Sequence, residues 1–147
     1  MKERGGYTLV EISVALGVIT LLALITIPTL VNYQRTAKLR NEARSMATNL
    51  RLAQQLAITE QNIYRVEFSV ISNSYQVVND ATNDVRKIVD LAEGVIINQI
   101  DSLTANTAKF NPTGAAVEVG IIYLVTSNQT TTVEIKPSGY VQINEQF

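Results

Sequence analysis

The sequence predicts an α+β fold in which a long N-terminal helix, membrane-spanning in its first half, packs by its second half on a mostly antiparallel β-sheet domain. Three observations predict it. Residues 12–31 read ISVALGVITLLALITIPTLV, twenty residues without a charge. Residues 35–61 contain neither Gly nor Pro. After Asn62, short β-rich runs alternate with polar turns. The length of 147 residues suits one domain with an appendage.

Composition narrows the chemistry before any element is placed. The chain has no His and no Cys, which removes the usual zinc ligand sets, Cys nucleophiles, Ser-His-Asp triads and a disulfide framework. An enzyme is not expected, and no cofactor or metal is implied. Lys and Arg number 12 against 13 Asp and Glu, a net charge of -1, so there is no global attraction to nucleic acid or to an anionic membrane. Hydrophobic residues make up 46% of the chain and charged residues 17%, and the apolar excess is concentrated at the N-terminal end.

At about 1.5 Å per residue, a helix over residues 12–31 spans the roughly 30 Å hydrocarbon core of a bilayer. A removable secretory signal is the competing reading, since Lys2 and Arg4 precede the apolar run. Such a signal usually has an apolar region of only about 7–15 residues and a small-residue cleavage site after it. This run instead continues into Asn32, Tyr33, Gln34 and Arg35. Glu11, at the start of the run, needs a reason: an acidic side chain in a membrane helix is costly and marks a functional position by default. The alternative is a boundary residue in the headgroups.

The string Gly6-Tyr7-Thr8-Leu9-Val10-Glu11 followed by the apolar run resembles the class III signal of type IV pilins and type II secretion pseudopilins. The resemblance implies a short basic leader over residues 1–6 on the cytoplasmic side, cut by prepilin peptidase between Gly6 and Tyr7. It makes Tyr7 the N-methylated first residue of the mature chain and Glu11 the assembly glutamate five places in. Pro28 falls where many family members have a helix-bending proline. Tyr7 in place of the commoner Phe, and Gly17 and Thr20 in place of larger apolar residues, are departures from the pattern. The implied organisation is a leader (1–6), a transmembrane and assembly helix (7–34), an amphipathic helix half (35–61) and a β-rich head (62–147). The implied protein is a minor pilin or pseudopilin with a pilin-like fold. It would sit singly spanning the inner membrane, with its head outside the cytoplasm, before joining a filament. Its partners would be other pilins or pseudopilins in a helical filament, prepilin peptidase, the inner-membrane assembly platform and the lipid bilayer.

A cut at Gly6 explains why Glu11 is tolerable. It creates an amine at Tyr7 four residues away, an i, i+4 neighbour on a helix. An amine and a carboxylate in a poorly hydrated setting attract, although desolvation offsets much of the gain. The resemblance adds a contact between Glu11 of an entering subunit and the Tyr7 amine of its neighbour. Counting loop charges gives the opposite topology, because Arg35, Lys38, Arg40 and Arg44 lie just past the far end of the run. The class III signal is preferred, and a cytoplasmic domain on a single anchor is the alternative.

Leu39, Ala43, Met46, Leu50, Ala53 and Ala57 recur at steps of four and three, one helical face for a domain core. Pro28 cannot donate to the Leu24 carbonyl, so a bend or local opening is expected between Gly17 and Pro28. Strands are expected near residues 63–70, 75–79, 85–91, 95–100, 117–126, 131–136 and 140–144. Turn signals stand at 72–74, 79–84, 93–94, 111–114, 127–128 and 137–139. Phe110-Asn111-Pro112-Thr113-Gly114, then a strand, then Val133-Glu134-Ile135-Lys136-Pro137-Ser138-Gly139-Tyr140-Val141, resemble the C-terminal half of the H-type minor pseudopilins and related minor pilins. Both strings are also ordinary turn chemistry.

Other candidate chemistry is thin. Asn79, Asp80, Thr82, Asn83 and Asp84 offer oxygen ligands in one loop but lack the spacing of a calcium loop. Nothing places Asp90, Glu93 and Asp101 together for acid–base work. Arg35, Lys38, Arg40, Arg44 and Arg51 read as a solvated face or a contact with lipid headgroups. Two alternatives to a filament subunit remain: a DNA-binding minor pilin for DNA uptake, and an unprocessed membrane-anchored adhesin. Against DNA, residues 62–147 hold five cations, Arg65, Arg86, Lys87, Lys109 and Lys136, among nine Asp and Glu.

Overall fold

The computed structural model describes residues 6–127 and 129–146, the side chains of Pro28 and Gln146 excepted. The leader residues 1–5, including Lys2 and Arg4, and Asn128 of the expected 127–128 turn lie outside the described residues. One helix, α1 (Leu9–Glu60), is followed by β1 (Tyr64–Ser69), β2 (Ser74–Asn79), β3 (Val85–Asp90), β4 (Ile96–Asp101), a 3-10 turn (Thr104–Asn106), β5 (Thr107–Phe110), β6 (Gly120–Val125), β7 (Thr130–Ile135) and β8 (Val141–Gln146). The chain divides into two compact units, Met1–Gln34 and Arg35–Phe147.

In the first unit the helix carries its apolar side chains outward; Leu9, Leu16, Leu22 and Ile25 are all exposed. Its hydroxyls are turned onto the backbone. Ser13, Thr20, Thr26 and Thr29 donate to the carbonyls of Leu9, Leu16, Leu22 and Ile25, four residues back. Each of these four hydroxyls is thereby satisfied inside its own helix, which suits a segment surrounded by hydrocarbon. This helix is long and apolar enough to cross a membrane. The local opening expected between Gly17 and Pro28 is not present: the backbone is α-helical at every residue from Leu9 to Glu60. Opening it would strip carbonyls of their intrahelical partners, which is costly in a segment surrounded by hydrocarbon.

In the second unit, Leu39, Ala43, Met46, Leu50, Ala53 and Ala57 are each at most 1% exposed, the face that the i, i+3, i+4 spacing selects. They are covered by two four-stranded antiparallel sheets, β3-β2-β1-β5 and β4-β6-β7-β8, where the sequence suggests a single sheet domain without a division. The chain crosses between sheets after β3, after β4 and after β5. Tyr64, Val66, Phe68, Val77 and Phe110 from the first sheet and Ile97, Ile122, Leu124, Val133 and Ile135 from the second join the helix stripe in one core. A register shift between Val77 and Val78 against β3 makes Val77, Val78 and Asn79 buried in succession, which strict alternation would forbid.

Two expectations are corrected in detail. The strand β5 and the 3-10 turn before it carry no strong sequence signal: TAKF is four residues long and lacks a β-branched run. The strand expected from residue 117 begins only at Gly120. Val117 and Val119 are exposed, and the Val117 N–H donates to the Lys109 carbonyl, so this stretch lies along β5. Gly120 is required there, since a Cβ would overlap the Leu103 side chain.

Because the stripe on α1 is the common floor of both sheets, a chain of residues 35–147 is expected to fold as a soluble monomer with mixed helix and strand circular dichroism and cooperative denaturant unfolding. A chain of residues 62–147 is expected to lose the cooperative transition. Equal stability of the two chains would overturn the helix-on-sheet core.

Candidate functional site

Gly6 and Tyr7 precede α1 in non-helical backbone, and both are exposed. Nothing lies within 4 Å of a Cβ built on Gly6, so its surroundings are open. Thr8 caps the helix: its Oγ1 accepts the Glu11 N–H at 3.2 Å, and its carbonyl accepts the Ile12 N–H at 3.2 Å. The spacing Thr8-x-x-Glu11 is that of a capping box, a signal already present in the sequence. Glu11 is exposed and is the acidic residue of the first turn, where the helix dipole favours a carboxylate. In a chain continuous through Gly6 and Tyr7, Tyr7 carries an amide, and the amine that Glu11 would meet exists only after a cut. At Pro28 the backbone is helical.

The second place where the candidate residues converge is the seam between α1 and the head. The Asn111 Oδ1 accepts the N–H groups of Thr113 and Ala115, both at 3.0 Å, and the Gly114 N–H donates to the Asn111 carbonyl. This closes the 111–114 turn. The Gly139 N–H closes the second turn on the Lys136 carbonyl, and the Ala116 N–H donates to the Pro137 carbonyl, joining the two. Gln54, partly buried on α1, donates its Nε2 to the Gly114 carbonyl at 2.6 Å and lies 3.5 Å from the Ser138 carbonyl. Gly114 has φ +86° and Gly139 φ +79°, left-handed conformations that favour glycine. A Cβ on Gly139 would also overlap the Gly114 carbonyl and Gln54. The two strings that suggested the H-type resemblance therefore meet on one helix residue.

Elsewhere in the head the cations are engaged. Arg65 pairs with Glu67 at 2.6 Å and Asp80 at 2.9 Å. Arg86 pairs with Glu60 at 3.1 Å and Asp84 at 3.3 Å. Lys109 pairs with Asp80 at 3.4 Å and Lys136 with Glu134, and Lys87 donates to the Asn49 Oδ1 at 2.8 Å. The Tyr64 hydroxyl donates to Glu60 at 2.5 Å and holds that carboxyl below its usual range. Gln76 and then Arg65 do the same for Glu67. In the 79–84 loop, Asn79 Oδ1 accepts the Ala81 and Thr82 N–H groups. With Asp80 and Asp84 in ion pairs, the loop is a closed turn. Among the described residues no cluster of three or more metal-ligating side chains occurs. Asp90 on β3, Glu93 in the β3–β4 loop and Asp101 at the end of β4 are not brought into one site.

Residues 42–139 match the family model of the type II transport protein GspH. The chain belongs to the GspH family. The match runs from the middle of the α1 stripe through the Gly139 turn, so it includes both glycine turns and Gln54. Two solved structures share the fold. The minor pseudopilin EpsH from the type 2 secretion system of Vibrio cholerae aligns at TM-score 0.62 and 14% identity, over 74% of this chain and 97% of that one. The type IV minor pilin FimU of Pseudomonas aeruginosa aligns at TM-score 0.61 and 12% identity, over 76% and 92%. A search of curated proteins finds no match. The family and the fold neighbours are structural pilin and pseudopilin subunits, not enzymes.

Two outcomes follow for the GspH-family head. Gly139→Ala is expected to lower unfolding free energy by at least about 1 kcal/mol, the usual scale for strain at a left-handed position. Gln54→Ala, which leaves the Gly114 carbonyl without its partner, is expected to cost about 1–3 kcal/mol. Urea denaturation measures both, and unchanged midpoints would show the seam to be incidental. Separately, a carboxyl whose folded pKa is lowered contributes stability above its unfolded pKa and loses it as pH falls through the folded value. For Glu60 and Glu67 that window lies below about pH 4.3. The denaturation midpoint is expected to hold from pH 7 to 5 and to drop below pH 4, with a shallower drop in Glu67→Gln.

Proposed function

We propose that this GspH-family chain is a minor pseudopilin or minor pilin that is made as a membrane precursor, cut between Gly6 and Tyr7 by prepilin peptidase, methylated at Tyr7 and assembled through α1 into a filament or its tip. The observation that carries the reading is the family match over residues 42–139 on a chain whose preceding segment is one apolar helix long enough to cross a membrane. The exposed Gly6-Tyr7 segment ahead of the capped helix supports access by a peptidase. The position of Glu11 in the first turn supports its pairing with a Tyr7 amine, its own or a neighbour's. In this reading the partners are other pilins or pseudopilins, the inner-membrane assembly platform and the bilayer. Pro28 then marks where the helix opens once neighbouring subunits cover its backbone.

The state of the head's cations favours this reading over DNA uptake. All five of the cations at Arg65, Arg86, Lys87, Lys109 and Lys136 make ion pairs or hydrogen bonds within the fold, whereas phosphate binding draws on cations whose charge is not already spent on carboxylates.

Intact mass and N-terminal sequence of the membrane-extracted protein test processing: the mature chain is expected to begin at methylated Tyr7, and Gly6→Val is expected to leave precursor. Glu11→Ala is expected to be cut normally yet to fall out of sheared filaments, with Glu11→Asp intermediate. Normal incorporation of Glu11→Ala, repeated with the Tyr7 amine blocked, would remove the pairing role.

A further inference from the structure

Within the second unit, a cavity of about 330 Å³ is lined by Arg35, Lys38, Glu93, Gly94, Thr126 and Ser127, among others. Arg35 spends one arm of its guanidinium on the Ser127 Oγ at 3.1 Å, which fixes the fork and leaves its other N–H donors for a ligand. Lys38 and Glu93 are exposed. Among the described residues no ion pair joins Glu93 to either cation, although all three line the one cavity. The contrast is with Arg65, Arg86, Lys109 and Lys136, each within ion-pair distance of a carboxylate. Two cations and one carboxylate left apart around a cavity suit a ligand that itself carries a separated anion and cation.

The place of the cavity in the chain says which ligand. Arg35 and Lys38 stand four and seven residues beyond Val31, the last residue of the apolar run. A helix rise of about 1.5 Å per residue sets them at the depth of lipid headgroups when that run fills the hydrocarbon core. A neighbouring turn carries an exposed apolar side chain. Asn73 donates its Nδ2 to the carbonyl of Val95, another residue lining the cavity, at 2.6 Å. Two residues before it, Ile71 is fully exposed, at 101%.

We propose that this cavity holds the headgroup of a phospholipid that carries both a phosphate and a primary ammonium, the phosphatidylethanolamine class. Arg35 and Lys38 take the phosphate, and Glu93 accepts from the ammonium. Both are charge-assisted hydrogen bonds. The assignment rests on the membrane reading above. It also gives a use to part of the basic cluster that loop-charge counting puts on the wrong side: Arg40 is paired with Glu145 at 3.0 Å inside the head, while Arg35 and Lys38 face lipid.

The test uses the full chain in non-ionic detergent, supplemented with equal amounts of phosphatidylethanolamine, phosphatidylcholine or phosphatidylglycerol. Native mass spectrometry reads the retained lipid, and hydrogen exchange reads protection at residues 91–95. Phosphatidylethanolamine is expected to be retained most strongly and to protect that loop. Replacing both cations (Arg35→Gln with Lys38→Gln) is expected to lower its retention by about thirty-fold, the product of two surface phosphate contacts. Glu93→Gln is expected to abolish the preference over phosphatidylglycerol while retention through phosphate persists. All three replaced side chains are exposed, and the circular dichroism of the variants is expected to match the parent chain. Equal retention of the three lipids, unchanged retention in the double variant, or equal protection of the loop by inorganic phosphate would each overturn the assignment. Carbonate extraction of membranes scores the anchor separately. A chain that washes off overturns the membrane reading, whereas an anchored chain with unselective lipid retention overturns the headgroup pocket alone.

Discussion

Everything in the head depends on one stripe of small and medium apolar side chains along the second half of α1. Leu39, Ala43, Met46, Leu50, Ala53 and Ala57 are almost wholly buried. Three of the six are alanines, which let strands approach the helix backbone closely and cost least in helix propensity. The two sheets share no strand, and the core they form with the helix is continuous. Polar ties fix their placement on it: Asn49 donates to the Tyr75 hydroxyl at 2.7 Å, Arg51 to the Val141 carbonyl at 3.1 Å, and Gln54 to the Gly114 carbonyl. Apolar burial supplies the drive and these donors supply the register, since a shift of either sheet would leave a buried partner unsatisfied.

The two halves of α1 solve opposite problems with one backbone. In residues 9–34 the hydroxyls of Ser13, Thr20, Thr26 and Thr29 bond to their own helix; in residues 35–60 polar side chains reach strands far away in sequence. The division of the chain into compact units at Gln34 and Arg35 coincides with the change from side chains that seek hydrocarbon to side chains that seek the head. Membership of the GspH family, with a fold shared with EpsH and FimU, attaches this arrangement to structural pilin and pseudopilin subunits and not to enzymes.

Much of this was legible in the residues because the signals are local or periodic. The helix stripe follows from spacing alone, and all seven expected strands lie within a few residues of observed ones. The resemblance to H-type minor pseudopilins, carried by the strings at 110–114 and 133–141, agrees with the family match. What escaped has a common cause. Strand β5 is four residues held by long-range pairing to β1, and the split into two sheets depends on which strands pair. Gln54 gives no local sign of its role, because its partners lie 60 and 84 residues away. The Thr8 cap is readable from the Thr8-x-x-Glu11 spacing, which is local.

The order of elements along the chain has a consequence for how the head is made. The helix stripe is complete by Ala57, yet the strands that cover it continue to the end of β8, where Glu145 closes on Arg40. Strand β1 also waits for β5 on its open edge, more than 40 residues later. Contacts at such separations form slowly, since loop closure must precede any gain from burial. During synthesis the apolar face of α1 is therefore incompletely covered until the last strand arrives, a window in which the chain is exposed to aggregation or proteolysis. Anchorage by residues 9–34 would keep these unfinished chains apart, spread across a surface at low local concentration while the C-terminal strands find their places.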